Sequence, residues 1–199
     1  MKTSLLIATS NPGKQREFAA LLASSGLELR LPAEVRPLPT VQETGRSYAE
    51  NAILKARAFA QASSLFALAD DSGLEVDTLN GAPGLHSARI AGPGRSDADR
   101  RALLLRHLQA FPRPWPARFR CVVALASPDG GVWTAEGVCE GEIIPAERGD
   151  KGFGYDPIFL VAERGLTMAE LSESDKNAIS HRGRATMAIL PLLHQKLNL

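Results

Sequence analysis

Leu65-Phe66-Ala67-Leu68-Ala69-Asp70-Asp71-Ser72-Gly73 is the stretch on which the fold reading turns. Its five apolar residues read as a short buried strand, and Asp70-Asp71-Ser72-Gly73 as the turn that closes it. Two neighbouring carboxylates there repel, and neither is cheaply buried alone. A hard cation removes the conflict, because Mg²⁺ takes carboxylate oxygens and shares them with phosphates. The carboxyl edge of a sheet is also where open α/β folds keep their ligands. Taken alone, the same four residues equally fit a solvated acidic turn.

Working outward, Ser4 to Thr9 reads as a buried first strand, broken by Asn11-Pro12-Gly13 and followed by a helix over Lys14 to Ala23. Phe18, Leu21 and Leu22 share one face of that helix. Glu28 to Leu31 reads as a second strand, and the proline-rich Pro32 to Pro39 as a loop. Ser47-Tyr48-Ala49-Glu50 has capping-box spacing, which predicts a helix from there to Ala62. Ala82 to Gly94 reads as a loop, and Ser96-Asp97-Ala98-Asp99 caps a helix ending before Pro112. Arg118 to Ala126, the turn Pro128-Asp129-Gly130-Gly131 and Val132 to Ile144 predict an antiparallel hairpin. Gly149 to Pro157 is a glycine-rich loop, Phe159 to Val161 a short strand, and Ser180 the cap of a last helix running to about Leu190 and kinked at Pro191. The fold class is α/β, with a mixed central sheet flanked by helices. Two lobes around one cleft, forming a single domain over residues 1–199, fit this pattern.

Composition excludes several functions. The 199 residues are 44% hydrophobic and 23% charged with net charge +1, so no global field points to nucleic acid or a membrane surface. Affinity for phosphate must come from local clusters. The apolar run at the N-terminus is too short for a signal peptide and no stretch approaches a membrane span, so a cytoplasmic location is expected. Cys121 and Cys139 read as buried thiols.

Four further segments carry chemistry. Thr9-Ser10-Asn11-Pro12-Gly13-Lys14 joins a strand to a helix, where backbone N–H groups and Lys14 attract anions; it is not a P-loop, and a plain βα turn fits it too. Glu43, just before the capped helix, serves either the helix start or a metal, and Glu50, Asn51 and Lys55 either face solvent or line a site. Gly152-Phe153-Gly154-Tyr155-Asp156-Pro157 presents a ring between two glycines, suited to stacking on a base, with Asp156 able to accept from ring N–H groups; a loop anchored to the core by Phe153 and Tyr155 is the alternative. Lys176, His181 and Arg182 begin a helix, where cations oppose the dipole unless an anion or carbonyl-rich ligand is near. Together these pieces suit a nucleotide site.

In colinear order, Thr9-x-Asn11-x-x-Lys14, Glu43-Thr44-Gly45, Glu50-Asn51-Ala52-x-x-Lys55-Ala56, Ala69-Asp70-Asp71-Ser72-Gly73-Leu74, Gly81-Ala82-Pro83-Gly84 with Ser87-Ala88-Arg89, Gly152 to Pro157 and Ser180-His181-Arg182-Gly183 span nearly the whole chain. In these the chain closely resembles the inosine triphosphate pyrophosphatase family of non-canonical purine NTP pyrophosphatases. Ser10 stands where bacterial members often have glycine. The resemblance implies an elongated two-lobed fold with a central substrate cleft, a homodimer, and Mg²⁺-dependent hydrolysis of ITP, dITP and XTP to monophosphate and pyrophosphate, cleansing the nucleotide pool. It implies Glu43 and Asp71 as metal ligands with Asp70 beside them, and Asp71 as general base. Ser72 would touch substrate, and Thr9, Ser10, Asn11, Pro12, Gly13 and Lys14 would hold the triphosphate. Phe153 would stack on the purine with Gly154, Tyr155 and Asp156 in the same loop, and Lys176, His181 and Arg182 would read the base edge.

A nucleotide sensor would need Lys14 and Phe153 but not Glu43, Asp70 and Asp71 together. An aspartyl phosphatase wants Asp-x-Asp after the first strand, where this chain has Thr9-Ser10-Asn11. A Maf-type pyrophosphatase shares the reaction, and the Phe153 loop with Ser180-His181-Arg182 favours the first family over it.

Overall fold

In a computed structural model of the protein, residues 3–35 and 39–198 are described; part of the proline-rich stretch expected as a loop, residues 36–38, lies outside them. β1 (Ser4–Ile7) leads into α1 (Pro12–Leu21), then β2 (Glu28–Arg30), α2 (Tyr48–Ser63) and β3 (Phe66–Val76). α3 (Asp97–Leu108), β4 (Trp115–Ala126), β5 (Val132–Ile143), β6 (Phe159–Val161), β7 (Leu166–Thr167), α4 (Glu173–Ile179) and α5 (His181–Leu197) complete the order. The strands form one mixed sheet in the order β2-β1-β3-β4-β5-β6-β7. β1 is parallel to β2 and β3, pairing Leu5 with Leu29 and with Phe66. β6 is antiparallel to β5 and β7. β4 and β5 are neighbours joined by residues 127–131 alone, a link so short that they must run antiparallel.

The predicted turn at Asp70-Asp71-Ser72-Gly73 does not form: β3 runs straight through it to Val76. A strand points successive side chains to opposite faces, so the two carboxylates part instead of repelling across a turn. Parallel crossovers are right-handed. α1 leads outward from β1 to β2, and α2 returns across β1 to β3, so the two helices cover opposite faces. Asp70 therefore shares the α1 face with Leu68, and Asp71 the α2 face with Ala67 and Ala69. The α2 side is built from small residues on both layers, with Ala52, Ala56 and Ala60 fully buried.

α1 starts two residues earlier than the apolar pattern suggests, because Asn11 Oδ1 accepts from the Lys14 amide at 3.1 Å and Pro12 occupies the first turn, where its missing N–H costs nothing. Ser47 caps α2, accepting from the Glu50 amide, but the Glu50 carboxylate reaches the Arg46 amide at 2.7 Å rather than that of Ser47. Ser96 and Asp99 make the full reciprocal box of α3. The expected last helix is α5, and an unexpected short helix, α4, capped by Ser172, precedes it, with the buried, extended Ser180 between them. α5 continues through Pro191 to Leu197. Both cysteines are buried thiols outside any disulfide.

The chain divides into two compact units, one of residues 1–71, 121–137 and 181–199, the other of residues 72–120 and 138–180. The core of the first packs Phe18 and Leu22 of α1 and Ala185, Ile189 and Leu193 of α5 on Leu5, Ile7, Leu68, Cys121 and Val123. The core of the second gathers Leu74, Leu104, Leu108, Trp115, Phe119, Tyr155 and Phe159. No helix among the described residues is long and apolar enough to cross a membrane.

Candidate active site

In the first unit the site is built around Asp70. It is 0% exposed, and its Oδ2 receives Lys14 Nζ at 2.8 Å and Arg182 Nη2 and Nε at 3.0 and 3.2 Å, with Cys121 Sγ at 3.8 Å. Burial works against its charge, but Lys14 and Arg182 overcome it and hold the carboxyl well below the usual carboxylate range. Its other oxygen, Oδ1, is buried and accepts no hydrogen bond. Arg182 is 1% exposed and is also bound through Nη1 to Glu17 of α1. Every nitrogen of its guanidinium thus donates to a carboxylate, Nε and Nη2 to one oxygen of Asp70 and Nη1 to Glu17. Expected at the base edge, Arg182 here ties α5 to α1 and β3.

On the opposite face, Asn51 Nδ2 donates to Asp71 Oδ2 at 2.9 Å while Asn51 Oδ1 accepts from the Gly45 amide at 2.8 Å. Asn51 so couples the Glu43-Thr44-Gly45 loop to Asp71. A side chain at Gly45 would meet Asn51 Oδ1 at 2.7 Å, which accounts for the glycine. Lys55, one turn along α2, reaches Glu43 at 2.6 Å and Asp71 at 3.9 Å. Burial raises the Asp71 pKa and Glu43 adds to the rise; Lys55 and Asn51 offset part of it. Burial also opposes the charge of Lys55, but Asp70, Glu43 and Asp71 more than compensate, so its pKa is raised.

Among the described residues no three His, Cys, Asp or Glu side chains converge as a ready cage for a metal. The donor set nevertheless fits Mg²⁺, which is held by one or two carboxylates plus substrate phosphates. Glu43 and Asp71 both reach the Lys55 ammonium, and Asp70 keeps an oxygen without a hydrogen bond.

The remaining residues expected to hold phosphate lie where β1 meets α1. Thr9 Oγ1 accepts from the Asn11 amide at 3.3 Å and the Thr9 carbonyl from Gln15 Nε2 at 2.8 Å; Ser10, Asn11 and Pro12 are exposed, and Gly13 is buried. His181, buried, opens α5.

In the second unit, Lys176 Nζ donates to Asp156 Oδ2 at 2.6 Å and lies 5.1 Å from the centre of the Phe153 ring, a cation–π distance. The same Asp156 oxygen accepts from the Phe153 amide at 2.8 Å. Gly152 has φ +76°, and a side chain there would strike Asp156 Oδ2 at 2.1 Å, so only glycine allows this closure. Tyr155 is buried and donates to the Ser87 carbonyl at 2.8 Å; it anchors the loop, as its alternative reading held, leaving Phe153 half-exposed. Ser72 follows Asp71 in β3. Sequence reasoning missed Glu17, which looked like one more polar position of α1.

The family model for the Ham1 family matches residues 5–192. The chain belongs to the Ham1 family. It is 50% identical over 182 residues to the dITP/XTP pyrophosphatase of Geobacillus kaustophilus, covering 91% of this chain and 89% of that one. It is 48% identical over 200 residues to the dITP/XTP pyrophosphatase of Nostoc sp., covering 100% and 98%. The Ham1 fold is shared with solved structures: a HAM1 protein from Coxiella burnetii (TM-score 0.87, 41% identity, covering 97% of this chain and 99% of that one) and the Staphylococcus aureus Ham1 protein (TM-score 0.85, 39% identity, 98% and 100%).

Proposed function

We propose that the protein hydrolyses non-canonical purine nucleoside triphosphates, ITP, dITP and XTP, to the monophosphate and pyrophosphate. The observation that carries the reading is Asp71: a buried carboxylate, raised in pKa, oriented by Asn51 and set beside Glu43 and Lys55. A carboxylate held in this geometry beside Glu43 and Lys55 suits the role of a general base. The names of the relatives, 50% and 48% identical, support the substrate class.

Phosphoryl chemistry asks for positioning and charge neutralisation more than covalent help. Asp71 orients a water and takes its proton as it attacks phosphorus, and pyrophosphate leaves. Lys14 and the start of α1, with Thr9 to Gly13, hold phosphate oxygens. Glu43 and Asp71 would hold Mg²⁺, with Asp70 their neighbour; when bound it neutralises charge between carboxylates and phosphates. Arg182 keeps Lys14 and Asp70 in register through its hold on Asp70 and Glu17.

Phe153 stacks on the purine and Lys176, held by Asp156, presents donors to its edge. His181, at the start of α5, belongs to the same reading of the base, whereas Arg182 acts on it through Asp70 and Glu17. A 6-keto oxygen accepts from such donors, whereas the 6-amino group of adenine sets donor against donor, unpaired and desolvated. The cellular role in this reading is cleansing of the cytoplasmic nucleotide pool by a homodimer. The test is product analysis on ITP, XTP, dUTP, ATP and GTP with and without Mg²⁺. Mg²⁺-dependent pyrophosphate from ITP and XTP supports it; orthophosphate, a pyrimidine preference, or binding without turnover overturns it.

A further inference from the structure

The Phe153 ring stands on a loop closed by Asp156 and Lys176 and anchored by Tyr155. Gly152 and Gly154 flank it at φ +76° and +64°, and a Cβ on Gly154 would meet nothing within 4 Å. Glycines in such a segment give the free chain many conformers, and a loop that must be ordered on binding loses affinity. The backbone of Gly154 is nevertheless gripped on both sides of its Cα by α3. Its N–H donates to Asp97 Oδ2 at 2.8 Å, and its carbonyl accepts from Arg101 Nη1 at 2.8 Å. Asp97 and Arg101 are one turn apart and so project from one helix face. Each is itself oriented. Asp97 Oδ1 is bound by Arg100, whose Nη2 donates to the Arg95 carbonyl at 3.0 Å. Arg101 grips Glu147 through Nε and Nη2 at 2.8 and 3.0 Å. The N–H and the carbonyl of Gly154 belong to the two successive peptide planes that meet at its Cα, so the two contacts fix both planes, and the first of them carries the Phe153 carbonyl.

We propose that Asp97 and Arg101 are positioning residues for base recognition: they clamp the two peptide planes that meet at Gly154 and so preset Phe153 as the purine platform. The inference rests on the proposed activity, and neither residue touches substrate or phosphate in it. Asp97 also sits in the first turn of α3, where an acid suits the helix dipole, so the test needs readouts that a merely structural role would not move.

Asp97→Ala, Arg101→Met and Phe153→Ala are each assayed for pyrophosphate release from ITP, and Asp97→Ala and Arg101→Met again in the Phe153→Ala background. Loss of one charge-assisted hydrogen bond should raise KM for ITP roughly fivefold to twentyfold, with kcat within about twofold because the reacting groups are untouched. In the Phe153→Ala background the same changes should move KM less than about twofold, since residues acting through one another are not additive. Asp97→Asn, which keeps an acceptor, should recover most of the loss. Amide hydrogen exchange over residues 152–155 should rise in Asp97→Ala while the rest of the chain keeps its protection. An unchanged KM, a full effect that persists without Phe153, or unaltered exchange at residues 152–155 overturns the clamp. Absence of pyrophosphate release by the wild type overturns the activity reading, and the exchange measurement then still decides whether the clamp exists.

Discussion

Arg182→Met is the perturbation whose consequence the structure sets most closely. Methionine keeps much of the apolar stem but removes the guanidinium that binds Glu17 through Nη1 and Asp70 through Nε and Nη2 at 3.2 and 3.0 Å. The site is 1% exposed, so water does not replace the lost partner. Breaking a buried pair by deleting one member costs about 3–5 kcal/mol, because the other charge is stranded. Here two carboxylates lose that partner, although Lys14 stays on Asp70 at 2.8 Å. For a chain of this length that loss lowers Tm by roughly 6–20 °C. Urea unfolding gives the free energy, and an unchanged m-value shows that the native state alone was affected. Asp70→Asn added to Arg182→Met should destabilise by less than the two single changes summed, with a coupling of about 0.5–3 kcal/mol. A loss below about 1 kcal/mol, or strict additivity, would refute the view that this pairing organises the site.

Other consequences are as direct. Gly137 of β5 lies under the start of α5, where a Cβ would meet the His181 carbonyl at 2.2 Å and the Ala185 amide at 2.4 Å. Gly137→Val should displace the first turn of α5, costing about 1–3 kcal/mol and reducing ITP turnover through misplaced His181 and Arg182, as read by thermal melting and steady-state rates. Asp70 makes stability depend on acid. Its folded pKa is depressed below 3.8, so the unfolded chain takes the proton first and stability falls as pH drops through that value. Asp70→Asn should flatten the fall between about pH 5 and pH 2 in urea midpoints; an unaltered slope would remove Asp70 from that role.

Elements whose local and global signals agree were legible in the amino-acid sequence: β1 and the start of β3 as apolar runs, the Ser47 and Ser96 caps, and the hairpin around residues 127–131. What misled was Asp70-Asp71-Ser72-Gly73. Four polar or small residues in a row look like a turn, and only side chains from elsewhere let a strand hold them: Lys14 and Arg182 for Asp70, Asn51 and Lys55 for Asp71. Tertiary context overrides propensity in this way where charges are satisfied at long range. α4 hid in the polar run Ser172 to Asn177, although Ser172 and Asp175 had cap spacing. Glu17, Asp97 and Arg101 carried no local mark, because each takes its role from a partner at least 46 residues away.

The central claim is that Asp71 accepts the proton of the attacking water. Steady-state pyrophosphate release from ITP by Asp71→Asn, beside the wild type at saturating Mg²⁺, tests it most directly. The account predicts kcat lower by about 10²–10⁴-fold, with KM for ITP within a few-fold, since asparagine fills the same space against Asn51. A variant that keeps wild-type kcat would contradict the assignment.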